Sequence, residues 1–241
     1  MTGSTTMAVS IEVGDHITRK FLGIKFNIDT ITSTAFALLV IVFLGLWMRR
    51  SATHLVPGKL QLFFETIVAQ VEEQVGGDLR RRAPNVVPLA VTIFIFILTA
   101  NWISVIPSGH KPEYLPPPTS DINLPLAMGL VVVIWAIGAG IKRRGLRNYL
   151  GHLKEPYVAL LPINILEEII KPITLALRLF GNIFAGTVLV LLISKLPIFI
   201  IWAPDFIWKL FDMFIGAIQA FIFALLTILY FTQAIGPEEA H

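Results

Sequence analysis

Two polar residues four apart, Arg178 and Asn182, interrupt the apolar run "ITLALRLFGNIFAGTVLVLL" from Ile173 to Leu192. An arginine near the centre of a membrane helix costs about 2.5 to 3.5 kcal/mol on insertion scales, so its presence needs a reason. Its guanidinium stays protonated and cannot pass protons on. What it can supply is a fixed positive charge aimed at a carboxylate. Gly181 and Ala185 share nearby faces and Gly186 lies two turns on, giving a narrow strip that another helix can approach closely. Glu167 and Glu168 lie two to three turns earlier, with Lys171 at the i+4 and i+3 positions, and can line a watery opening. Further on, Asp212 and Gln219 are seven apart and share a face, beside a small-residue stripe of Ala217, Ala220 and Ala224.

Each group also has a plainer reading. Arg178 can be a structural pair for Glu167 or Glu168 within the bundle. Asn182 and Gln219 can be hydrogen-bonding glue between helices, and Asp212 a water-facing cap. Asp121 in "TSDINLP" suits a helix N-cap better than a proton-carrying group. Asn101 and Ser104 fit either an aqueous cavity or helix packing.

These residues must be positioned by membrane helices. The 241 residues are 55% hydrophobic and only 15% charged, with a net charge of +3. Mean hydropathy is +0.76, too apolar for an ordinary soluble domain. The basic residues fall in short clusters beside apolar runs, where they orient membrane spans and do not bind nucleic acid. The absence of cysteine excludes disulfides, thiolate metal sites and thiol nucleophiles.

A span needs about 20 apolar residues. Residues 28–48, 86–106 and 122–141 meet that length, and the region 157–234 holds two more spans broken by a turn at "SKLPIFIIWAPD". The chain is thus expected to be an all-α integral membrane protein with five crossings in one polytopic domain, residues 1–241. The last two crossings, 157–195 and 205–235, form a long tilted hairpin, with Pro162 and Pro172 as kink sites. Arg49–Arg50, Arg80–Arg82 and "KRRGLRNYLGHLK" lie at junctions expected on the cytoplasmic side, while "PSGHKPEYLPPPTSDIN" has one lysine and no arginine and is expected outside, stiffened by its proline run. The N-terminal segment 1–27 is then outside and the C-terminus inside. That segment carries Glu12, Asp15, Arg19 and Lys20 without a signal-length apolar run, so the first span is expected to direct its own insertion.

Between the first two spans, residues 57–82 place Leu60, Phe63, Phe64, Ile67, Val68, Val71 and Val75 at helical spacing, with Glu65, Glu72, Glu73 and Gln74 largely on another face. An amphipathic helix in the membrane interface is expected, a solvated linker helix being the alternative.

The runs "KPITLALRLFGNIFAG", Lys171 to Gly186, and "AIQAFIFALLTILYF", Ala217 to Phe231, closely resemble subunit a of the bacterial F-type ATP synthases. The resemblance extends to "PLAVTIFIFILTANW" and "DINLPLAM" and covers nearly the whole chain. It implies a stator in the bacterial plasma membrane, partnered by a ring of c subunits, by the b subunits of the peripheral stalk and by lipid, with no metal or cofactor. It further implies that Arg178 is the stator arginine and Gln219 its partner. Asn182 and Asp212 then belong to the outer half-channel, and Glu167 and Glu168 to the inner one. Thr187 departs from the pattern, because some relatives carry a glutamate there, so Asp212 is the candidate to take over that role.

Two other function classes compete with this one. A stand-alone secondary transporter would use Arg178 to bind an anionic substrate. An intramembrane enzyme lacks its groups, since His16, His54, His110, His152 and His241 all fall outside the predicted spans. No phosphate-cradling glycine loop is present, so the chain itself is not expected to make or hydrolyse ATP.

Overall fold

The computed structural model describes residues 18–21, 24–53, 56–103, 118–152, 160–197 and 199–236. Five of its helices are long and apolar enough to cross a membrane. In chain order the elements are strands β1 (Thr18–Phe21) and β2 (Ile24–Asn27), then helices α1 (Ile28–Ser51), α2 (Lys59–Arg82), α3 (Val86–Ile103), α4 (Asn123–Arg144), α5 (Leu146–His152), α6 (Leu161–Ile193) and α7 (Trp202–Ile235). A 3-10 turn, Pro118–Ser120, precedes α4. The expected positions 104–106, Ser104, most of the outer loop and residues 157–159 lie outside the described residues.

Strands β1 and β2 pair antiparallel with Thr18 opposite Asn27 and Phe21 opposite Ile24, a hairpin absent from the sequence expectation. Its signal was present in the alternating "TRKFLGIKFN", where a two-residue connection containing glycine joins two short runs.

The core forms where α7 packs along α3 and α4, and α6 packs along α4. Phe223, Phe231, Ile97, Leu175 and Leu179 are its largest fully buried apolar side chains. Because lipid is as apolar as these residues, close packing has to supply the attraction between helices, and small residues make it possible. A Cβ on Gly129 of α4 would stand 2.9 Å from the carbonyl oxygen of Pro172, so only glycine admits α6 this close. Ala220 and Ala224 of α7 are buried in the same way. Helices α6 and α7 run antiparallel through a short turn but touch each other sparingly, α4 lying against both.

The two prolines of α6 differ in their effect. Pro162 falls in the first turn, where its missing N–H has no helical acceptor to lose, so it starts the helix and is no kink site. Pro172 is internal and leaves the carbonyl of Glu168 without its usual helical donor. Helix α2 buries Phe64, Val71, Val75 and Leu79 while its acidic face stays open, as an amphipathic element requires. Gly76, with φ 69, interrupts it.

A buried polar knot ties the start of α1 to the start of α4. The Asp121 carboxylate accepts from the side chains of Asn27 at 2.6 Å, Thr30 at 3.4 Å and Asn123 at 2.7 Å. It also accepts the Asn123 backbone N–H at 3.0 Å, although the N-cap position of α4 itself falls on Ile122, one residue later than expected. Asn101 resolves toward helix packing. Its amide donates to the Gly216 carbonyl at 3.1 Å and accepts from the Thr119 hydroxyl at 3.4 Å, pinning the end of α3 to the middle of α7.

Candidate functional site

Helix α6 carries Arg178 on an exposed face, together with Gly181 and Ala185. No heavy atom would lie within 4 Å of a Cβ added at Gly181, so this stripe is open along its length. Among the described residues Arg178 makes no ion pair. The acids that the sequence offered as its partners are held elsewhere. Lys171 Nζ lies 2.6 Å from Glu168 Oε1 and 3.8 Å from Glu167 Oε1. The helical rise explains the choice, since ten residues between Glu168 and Arg178 separate them by about 15 Å along the axis, whereas Lys171 is one turn away.

Lys171 is itself buried at 9% exposure, an uncommon state for lysine, and is stabilised there by two partners. Glu168 is one, and the ring of Tyr230 on α7 is the other, its centre 5.4 Å from the ammonium. Sequence reasoning did not single out Tyr230. The signal was available only through the pairing of α6 with α7, which no single helix reveals.

A second contact sets that pairing at the far end. A Cβ on Gly186 would lie 3.6 Å from Asp212 Oδ1, ordinary van der Waals contact across the two helices. Interpolating between the Lys171–Tyr230 and Gly186–Asp212 contacts brings Gln219 level with Phe180 and Gly181, about 4 Å along the axis from Arg178. Asn182 stands at nearly the same height. Arg178, Asn182 and Gln219 therefore lie within about one helical turn of one another in height, although no hydrogen bond joins the arginine to either amide.

Both amides are short of partners. Gln219 is 6% exposed and its Nε2 is buried without a hydrogen-bond acceptor among the described residues, as is Nδ2 of the half-buried Asn182. A buried donor left unpaired costs about 1 to 3 kcal/mol, so these groups are poor glue and good candidates for water or an approaching partner. Thr187 closes its hydroxyl onto the Ile183 carbonyl at 2.9 Å. No group of three or more metal-ligating acids or histidines occurs among the described residues.

The arrangement is a fixed cation on an open face of a membrane helix, with unsatisfied amides at its level. A half-buried acid, Asp212, lies toward one end of the bundle, and an acid–lysine cluster toward the other. Residues 30–232 match the family described as ATP synthase A chain. ATP synthase subunit a of Acidothermus cellulolyticus is 52% identical over 229 residues, 95% of this chain and 84% of that protein. The Mycobacterium marinum subunit is 52% identical over 244 residues, 98% of both. The Mycobacterium leprae subunit is 47% identical over 250 aligned positions spanning 100% of both. The chain belongs to the subunit a family of the F-type ATP synthases.

Proposed function

We propose that this chain is the stator of the membrane sector of a rotary ATP synthase, presenting two offset proton half-channels to a ring of c subunits and coupling proton flow to the turning of that ring. The observation that carries the reading is Arg178, exposed on α6 beside Gly181 and Ala185, while Glu167 and Glu168 are taken by Lys171. A permanent charge that no acid among the described residues neutralises is suited to an acid on another chain.

Protons reach the ring from the outer side through water, Asp212 and Asn182. They neutralise a rotor carboxylate, which can then turn through lipid, a journey closed to the charged form. When the carboxylate returns, Arg178 favours its ionised state and the proton leaves past Glu168 and Glu167. At about 4 Å and an effective dielectric of about 20 the pair is worth about 4 kcal/mol, about 3 pKa units, enough to switch the site. Arg178 also repels any proton attempting to cross directly between the half-channels, so flow requires rotation. Gln219, level with the arginine and lacking an acceptor, holds the arriving carboxylate. The membrane potential supplies about 2.3 kcal/mol per charge per 100 mV. The chain itself performs no catalysis.

In this reading the protein is a multi-pass protein of the bacterial plasma membrane with its N-terminus outside and C-terminus cytoplasmic. The c ring occupies the Arg178 face. The b subunits of the peripheral stalk and lipid are its other partners, and Leu39, Phe43 and Trp47 on α1 offer them an exposed apolar flank. Exchange of Arg178→Ala in the assembled complex tests the proposal, with normal assembly and abolished ATP-driven pumping as the expected result. Pumping at the wild-type rate would overturn it.

A further inference from the structure

The end of the bundle that holds the Lys171–Glu168 pair is closed by a contact that the sequence did not suggest. Arg144, the last residue of α4, donates from Nε to the carbonyl of Ile235 at 2.8 Å. Ile235 ends α7, and the following Gly236 has φ 72, with its N–H bonded to the Thr232 carbonyl at 2.9 Å. A Cβ at Gly236 would overlap the Arg144 guanidinium, so the arginine occupies the space left by the missing side chain. The last carbonyls of a helix have no internal donors and form the negative end of its dipole, and a guanidinium meets both needs at once. A lysine, with a single rotating ammonium, cannot place a donor on the Ile235 carbonyl and fill this space with a second nitrogen together.

The rest of α4 and α5 reinforces the clasp. Gly145, with φ 78, turns the chain so that α5 folds back, and Tyr149 is buried at 6% exposure. A Cβ on Gly140 would stand 2.7 Å from the Ala234 carbonyl and 2.8 Å from Cε2 of Tyr149, so α4, α5 and the end of α7 meet at one point. Glu168 and Arg144 both lie close enough to the Tyr149 hydroxyl to act on it electrostatically. Tyr230, which carries Lys171 on its ring, is only about one and a half turns before Ile235.

We infer that Arg144 is a positioning residue for the inner half-channel: by clasping the end of α7 it holds Tyr230 beneath Lys171, and so holds Lys171 on Glu168. This assignment rests on the stator reading above and names a residue that acts only through others. Loosening the clasp lets Tyr230 shift and frees Lys171 from its seat beside Glu168. The charged and titratable groups gathered there are Glu167, Glu168, Lys171 and Arg178 of α6, Tyr230 of α7, Tyr149 of α5 and Arg144 itself. Proton exchange on the cytoplasmic side then follows a different pH dependence.

The test uses the assembled complex in membranes carrying Arg144→Ala, Arg144→Lys, Gly236→Ala, or Arg144→Ala with Gly236→Ala. ATP-driven pumping is measured against cytoplasmic-side pH and normalised to the amount of assembled complex. Both Ala exchanges are expected to lower pumping about threefold or more and to change the pH profile. The lysine exchange should rescue little, and the double variant should add little to either single one, since both break the same contact. Wild-type rate and profile in both single variants would overturn the assignment. So would a loss explained wholly by poorer assembly with an unmoved profile. Arg178→Ala is run alongside. Pumping there sinks the stator reading and this assignment with it, whereas pumping lost there but unchanged in the clasp variants sinks the assignment alone.

Discussion

Lys171 stands 2.6 Å from Glu168, and that pairing leaves Arg178 without an ion pair among the described residues. Two cations and two acids share one helix, and the helical rise sorts them. The lysine lies within one turn of both acids and takes them, while the arginine is left on an open face at the level of two amides without acceptors.

The pair itself is testable. With Lys171 buried and Glu168 half-buried, Lys171→Met is expected to destabilise the solubilised complex by about 1.5 to 3 kcal/mol, the range for hydrogen bonds to charged groups. Glu168→Gln added to it should restore most of the loss, because no buried charge then lacks a counterpart. Thermal inactivation of the two single variants and the double gives the coupling. Strict additivity would mean that the two residues do not act as a pair.

Asp212 faces the strip of α6 that contains Gly186, and Thr187 lies next in sequence. Asp212→Asn is expected to reduce ATP-driven pumping at least about tenfold, in the range seen when a proton-transfer group is lost. Thr187→Glu placed in that background should recover a measurable part of the rate, since it returns an ionisable group to the same region. No recovery, with the complex intact, would argue that Asp212 acts by a route Thr187 cannot reach.

Gln219 separates packing from function. Its Nε2 has no acceptor, so Gln219→Leu removes a desolvated donor and should leave stability unchanged or raise it by about 1 kcal/mol. Pumping should nonetheless fall several-fold. A variant that is clearly less stable but pumps normally per complex would return Gln219 to interhelical glue.

Tyr149 predicts a pH effect on α5. Burial raises its phenol above the ordinary value of 10.0, Glu168 raises it further, and Arg144 opposes them. The folded state therefore keeps the proton that the unfolded chain releases. The corresponding stability is fully present below about pH 10 and is lost as pH rises from there through the folded value. Phenolate absorbance of the wild type minus that of Tyr149→Phe should appear only above pH 10, and its appearance at or below that pH would contradict the burial seen.

The isolated chain offers a check on the rival class. Reconstituted in liposomes without a rotor ring, it is expected to take up no anionic substrate. Uptake there would favour a transporter that uses Arg178 for binding.

Much of this architecture was legible from local properties. Helix length and apolarity determine which segments can span a membrane. An arginine inside such a segment stands out because its insertion penalty depends on little beyond its own chemistry. The short motifs around Arg178 and Gln219 pointed to the family for the same reason. What the linear chain could not decide was which acids Arg178 meets, since that depends on rotation about the helix axis and on the neighbour across it. The place of Tyr230 beneath Lys171, the seat of Arg144 over Gly236, the contact of Asp212 with Gly186 and the use of Asn101 as a packing bond all join residues far apart in sequence. They exist only once α4 has drawn α6 and α7 into one register, because glycine-limited approach between helices is a property of the packed bundle and not of any one segment.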